Sequence, residues 1–148
     1  MLKQRIEQDL KKALLAGDKF RVTVLRGLKS VILYAELEKG VRDSGLSDEA
    51  IIALLAKEAK KRQESADLYV QGGSQERADS ELAEKVIITE YLPKQLSDEE
   101  LSQVIDQVIN ELGLSGSQAM GQVIGQVKQK TAGQADGSHI ARLVKQRL

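Results

Sequence analysis

Residues 91–100 read YLPKQLSDEE, and this stretch divides the chain. A run of helical periodicity reaches Tyr91, and Pro93, the only proline, stops it. Its ring locks φ, and it has no N–H to give to the preceding turn. Ser97-Asp98-Glu99-Glu100 then fits a capping box, in which the serine oxygen accepts from the third helical N–H and the glutamate reaches back. One helix therefore ends before Pro93 and another begins after it. The expected organisation is two helical domains, residues 1–93 and 94–148.

Upstream, Leu2, Ile6, Leu10 and Leu14 recur at every fourth position, the pattern of a helix with one apolar face. Gly17 ends it and Asp18 is a candidate N-cap for the next. Val24, Leu25, Leu28, Val31, Ile32 and Ala35 form the stripe of a second helix, with Arg21, Arg26 and Lys29 beside it, placed to pair with acids across the bundle. After the loop GVRDSG, Ser47 caps a third helix whose first turn carries Asp48 and Glu49, complementing the dipole. Its apolar rhythm runs through Ile51, Ile52, Leu55, Ala59, Ala66 and Tyr69. Arg62 breaks the stripe, although its methylene stem can cover apolar surface. Lys57, Lys60 and Lys61 read as a solvated face, with Lys60 and Glu64 spaced to pair. Gly72 and Gly73 close that helix, and a fourth, from about Ser74 to Tyr91, should turn Leu82, Ala83, Val86 and Ile87 inward. Short connections between four such helices predict an antiparallel set.

Downstream, Leu101, Val104, Ile105, Val108 and Leu112 make one face of a helix closed by Gly113. Met120, Val123, Ile124 and Val127 mark the next. Gly133 interrupts, Asp136 or Ser138 caps, and Ile140, Leu143 and Val144 line the last. The fold class is all-α: an N-terminal antiparallel four-helix unit followed by a small C-terminal three-helix unit.

Hydrophobic residues at 41% with 30% charge describe a globular chain. With one Phe, three Tyr and no Trp, its core has to be aliphatic. The lack of cysteine excludes disulfides, thiolate metal sites and a cysteine nucleophile. Neither a signal-peptide run nor the ~20 apolar residues of a membrane span is found, so by elimination a cytoplasmic location without a membrane partner is expected. No phosphate-binding P-loop and no G-x-S-x-G nucleophile elbow occurs, and the sole histidine, His139, has no cysteines to join in a metal cluster. No catalytic residue, metal site or cofactor is predicted.

The better lead is charge. From Ser115 to Leu148 the bases are Lys128, Lys130, Arg142, Lys145 and Arg147 against the single acid Asp136, a local net charge of +4 in a chain whose formal total is zero. Without acids nearby in sequence, these cations are placed to meet phosphates. Gly121 and Gly125 fall on one helical face, and each costs roughly 1 kcal/mol against alanine. They imply close approach by another backbone or by a ligand. The elbow from Gly133 to Gly137 leads into a helix N-terminus whose N–H groups can receive an anion, with His139 in the first turn beside it or solvated.

Several pieces together, in order and spacing, resemble the YqeY family over essentially the whole chain. They are Leu25-Arg26-Gly27-Leu28-Lys29-Ser30, Lys61-Arg62-Gln63-Glu64-Ser65, Tyr91-Leu92-Pro93-Lys94-Gln95-Leu96-Ser97, Met120-Gly121 and Gly133-Gln134-Ala135-Asp136-Gly137. That family is similar to the C-terminal tail of the B subunit of tRNA-dependent amidotransferases, which convert Glu-tRNA(Gln) or Asp-tRNA(Asn) to the amide. The resemblance implies a four-helix part followed by a three-helix part, and the family label of carbon–nitrogen ligase with glutamine as amido donor. It also implies a tRNA-contacting role, because in those enzymes the tail is the tRNA-contacting appendage. Phosphorylation, amide transfer and glutamine hydrolysis lie in other parts that this chain lacks. The family's positions match at Met120, Gly121, Gly133, Asp136 and Gly137. The expected partner is tRNA or another structured RNA, met by shape and phosphate contacts since the basic lobe has no aromatic residue to stack on bases. The alternatives are an accessory subunit that completes an amidotransferase with partner subunits, and a helical protein–protein adaptor.

Overall fold

The computed structural model describes every residue from Met1 to Leu148. Seven α-helices follow one another: α1 Leu2–Ala16, α2 Lys19–Lys39, α3 Asp48–Gln71, α4 Gln75–Thr89, α5 Asp98–Leu112, α6 Met120–Lys130 and α7 Gly137–Arg147. A single 3-10 turn over Ser117–Ala119, without a sequence signal, leads into α6. No strand is present, and the all-α class holds. The chain forms two compact units, Met1–Leu92 and Pro93–Leu148.

Local chemistry sets the helix ends. Gly17, Gly40 and Gly113 close α1, α2 and α5 with positive φ, which L side chains adopt only at a cost. Asp18, Ser47 and Ser97 accept cap hydrogen bonds from Arg21, Ala50 and Glu100. Ser97 and Glu100 complete the reciprocal capping box. Helix α4 ends at Thr89, with Tyr91 beyond it.

In the first unit Ile6, Leu10, Leu25, Leu28, Ile32, Ile51, Leu55, Ile87 and Ile88 are buried in one core together with Tyr91. Three inward assignments are corrected. Leu14 is 50% exposed and Ala13 takes its place. At about 100° per residue, Ala13 lies about 20° from Ile6 and Leu14 about 80° away, since a strict four-residue repeat drifts off a helix face. On α4, Ala83 and Val86 face outward. The first half of α4 packs through Ala78, while its last turn buries Ile87 and Ile88 in the main core, so no single stripe serves both.

Ion pairs and hydrogen bonds clasp this unit. Arg62 Nη1 lies 3.1 Å from Glu81 and 3.3 Å from Glu84, and Lys85 donates to Gln63, joining α3 to α4. Tyr91 donates to Asp9 while the Arg5 guanidinium sits over its ring at 4.7 Å. Arg21 pairs with Glu90 at 2.8 Å. Lys61 pairs with Glu58 at 3.3 Å.

The second unit has its own aliphatic core of Leu101, Ile105 and Val108 from α5, Val123 and Val127 from α6, and Ile140, Leu143 and Val144 from α7. Buried Thr131 donates its hydroxyl to the Val127 carbonyl at 2.7 Å. The segment after Pro93 pins the elbow: Gln95 donates to the Gly133 carbonyl at 2.7 Å and the Leu96 N–H to that of Gln134 at 2.9 Å.

Candidate functional site

The sequence-predicted site residues all lie in the second unit, on α6, α7 and the elbow between them. Helix geometry puts Gly121, Gly125 and Lys128 within about 60° of one another, on one face of α6. Both glycines are exposed, and a Cβ added to either would meet nothing within 4 Å. Packing inside the chain therefore does not account for them. Lys128 crosses to the start of α7, where its Cε and Nζ lie 3.1 and 3.3 Å from the position of a Cβ on Gly137. Gly137 is the first residue of α7 and Asp136 occupies the N-cap position. Gly133 takes a φ of +76°, which explains a glycine at the elbow.

The uncompensated basic lobe is corrected. Lys130 points to the opposite side of α6 and pairs with Glu111 at 2.9 Å, a contact that holds the Glu111 carboxyl below the usual carboxylate range. Arg147 pairs with Asp106 at 2.8 Å, and Arg142 lies 3.9 Å from Asp98. His139 is not a solvated side chain. It turns toward Asp98, with Nε2 2.7 Å from Oδ1, in ion-pair range but without an aligned hydrogen bond. The small recess beside it, lined by Asp98, Ser138, His139 and Arg142, therefore already holds a carboxylate. All three carboxylates come from α5, outside the window in which charge was counted. Over Pro93–Leu148 the chain has six basic and six acidic residues. Lys128 and Lys145 are exposed and have no carboxylate in ion-pair range.

Sequence reasoning missed a second constellation, in the first unit. A groove of about 540 Å³ runs between α1 and α2. Its rim includes Arg26, Lys29 and Ser30, three residues of the LRGLKS segment, along with Arg42. At its end Glu36, fully buried, accepts from Lys3 Nζ at 2.9 and 3.1 Å and from the Leu46 N–H at 3.1 Å. Hydrogen bonding from Lys3 depresses the Glu36 pKa against the opposing effect of burial. Glu36 lies four residues after Ile32 and about 20° from Leu25, on the buried face of α2, but nothing local in sequence showed which groups would satisfy its carboxylate. Arg26 and Lys29 do not pair across the bundle as Arg21 does. No group of three or more His, Asp or Glu residues is placed to hold a metal ion.

The YqeY family profile, described as Yqey-like protein, matches residues 3–148. The chain belongs to the YqeY family. Two curated relatives are each named Altered inheritance of mitochondria protein 41, mitochondrial. The one from Eremothecium gossypii is 31% identical over 132 residues, which is 87% of this chain and 71% of that protein. The one from Kluyveromyces lactis is 32% identical over 130 residues, covering 85% and 69%. The cytoplasmic expectation does not stand, because it was reached by elimination and both relatives carry a mitochondrial name. No helix of this YqeY protein is long and apolar enough to cross a membrane. Several family-like segments have structural roles in it: Arg62 and Gln63 tie α3 to α4, Tyr91 anchors α1, and Gln95 and Leu96 hold the elbow.

Proposed function

We propose that this YqeY protein is an RNA-binding helical protein that presents the glycine face of α6 to a folded RNA, with tRNA the species the amidotransferase-tail resemblance favours. The observation that carries the reading is the open environment of Gly121 and Gly125. Gly125, in the interior of α6, costs roughly 1 kcal/mol against alanine, and Gly121, in its first turn, costs less; no internal contact repays either. A bare helical backbone lets a ribose-phosphate chain come close. Lys128 lies on the same face and leans over the first turn of α7, so a phosphate there meets an ammonium and helix N-terminal amides together. The pairs of Lys130, Arg142 and Arg147 are surface pairs, worth about 0–1 kcal/mol each, so a polyanion can displace their carboxylates.

The test is tRNA association across a salt series. If only Lys128 and Lys145 meet phosphates, log K falls against log salt with a slope of roughly −2; if the paired cations are recruited, it steepens to roughly −4 or −5. Association that ignores salt, or that survives Lys128→Glu with Lys145→Glu unchanged, removes the reading.

The adaptor alternative draws support from α2, where Leu33, Tyr34 and Leu37 are exposed on one face, Tyr34 by 72%. Protein partners that remain bound after nuclease treatment favour it. Amide formation in a mixture reconstituted with amidotransferase subunits favours the accessory-subunit alternative.

A further inference from the structure

We infer that the groove between α1 and α2 is a binding site for a phosphomonoester carried on a compact aliphatic body. This goes beyond the RNA reading, uses none of its residues and lies in the other unit.

Three observations converge on that chemistry. The first is like charge without relief. Arg26 and Lys29 are three apart on α2, and the residues three and four away from each include no acid. Like charges at that spacing repel. Both line the groove, with Arg42 from the following loop as a third cation. None of the three has a carboxylate in ion-pair range, although Arg42 acts on Glu36 from further away, whereas Arg21, Arg62 and Lys3 in the same unit all do.

The second is the charge balance. Lys3 and Glu36 neutralise each other. Glu7 is the other acid on the lining, so three cations against one acid leave a net charge of +2. A phosphomonoester near neutral pH carries close to two negative charges, while a single carboxylate leaves the groove cationic. The planar forks of Arg26 and Arg42 suit phosphate oxygens, and the lining requires no bound metal to receive them.

The third is the floor. Ile6, Leu10, Ile32 and Leu33 are its apolar residues, and no aromatic side chain contributes. A nucleobase has no aromatic ring to stack on there. Ile6 and Ile32 are buried beneath the groove, and Leu33, 37% exposed, is the apolar side chain an alkyl body can cover. A volume of about 540 Å³ lies within the usual size of small-ligand sites. Buried Glu36 keeps Lys3 out of this task by holding its ammonium against α2, which leaves Arg26, Lys29 and Arg42 as the cations that meet the ligand.

The experiment is a titration of the full chain, followed by backbone amide NMR, with three probes: hexyl phosphate, inorganic phosphate and hexanoate. Hexyl phosphate should shift amides around Arg26–Leu33 and Arg42, with a dissociation constant about tenfold below that of either other probe. Lys29→Glu should weaken it by about tenfold or more while leaving the melting temperature unchanged or higher, because the substitution replaces a repulsion with a pair to Arg26. Lys145→Glu, in the other unit, should not alter it. Equal binding of all three probes, or shifts confined elsewhere, would falsify the proposal. Two further measurements identify the source. Cosedimentation with phosphatidylcholine vesicles containing phosphatidic acid, lost in Lys29→Glu, assigns the phosphomonoester to a lipid headgroup, and its absence with hexyl phosphate still bound assigns it to a soluble ligand. Displacement of hexyl phosphate by tRNA overturns the small-ligand site and gives the groove to RNA. Failure of the tRNA salt series leaves these readouts untouched.

Discussion

Glu36 is the residue whose role is least apparent from its neighbours. It is fully buried, and Lys3 and the Leu46 N–H hold its carboxylate in the charged form. Its folded pKa lies below the ordinary carboxylate value. A depressed carboxylate favours the folded state above its unfolded pKa, and that contribution is lost as pH falls through the folded one. Urea unfolding at a series of pH values should therefore show Glu36→Gln less stable near neutrality by about 1–2 kcal/mol. The two stability curves should converge on acidification. Curves that run parallel down to low pH would place the acid sensitivity elsewhere. Tyr91 shows the same dependence on partners: burial first, then its bond to Asp9, raise its pKa, so it remains a neutral donor across the ordinary range.

Among the elements, α6 sets stability against use. Alanine at Gly121 and Gly125 would meet no neighbour, so the double substitution Gly121→Ala with Gly125→Ala should raise stability by about 1–2 kcal/mol, read as a higher melting temperature. The same change places two methyl groups on the face proposed for RNA and should weaken tRNA binding. A variant that is both more stable and unimpaired in binding would mean that the face is not used. Helix α5 is the counterpart: its Asp98, Asp106 and Glu111 are the carboxylates that pair with α6 and α7. Counting charge within one stretch hid this, because ion pairs form between helices and not along the window.

For the molecule as a whole, two cores and two neutral charge sets define the units. Met1–Leu92 has sixteen residues of each sign and Pro93–Leu148 has six. Expressed separately, residues 1–92 should melt cooperatively, while 93–148, short for an independent core, should be helical but only marginally stable, as thermal circular dichroism would register. A 93–148 fragment without helical signal at low temperature would mean that its core needs the rest of the chain. Apolar periodicity, glycine stops, serine and aspartate caps and Pro93 determined the helices and the break between them, because these depend on residues a few positions apart. Helix faces were legible where a single core lay along the helix, as on α5, and misread on α4, which passes between two environments, and at Leu14, where a strict four-residue repeat drifts off the face of α1. Only the tertiary structure decided which cations are neutralised, that Lys3 and the Leu46 N–H satisfy Glu36, that the α6 glycines face open space, and that Arg26, Lys29 and Arg42 gather on one groove. Each of those rests on side chains brought together from separate helices, and no local pattern encodes such distances.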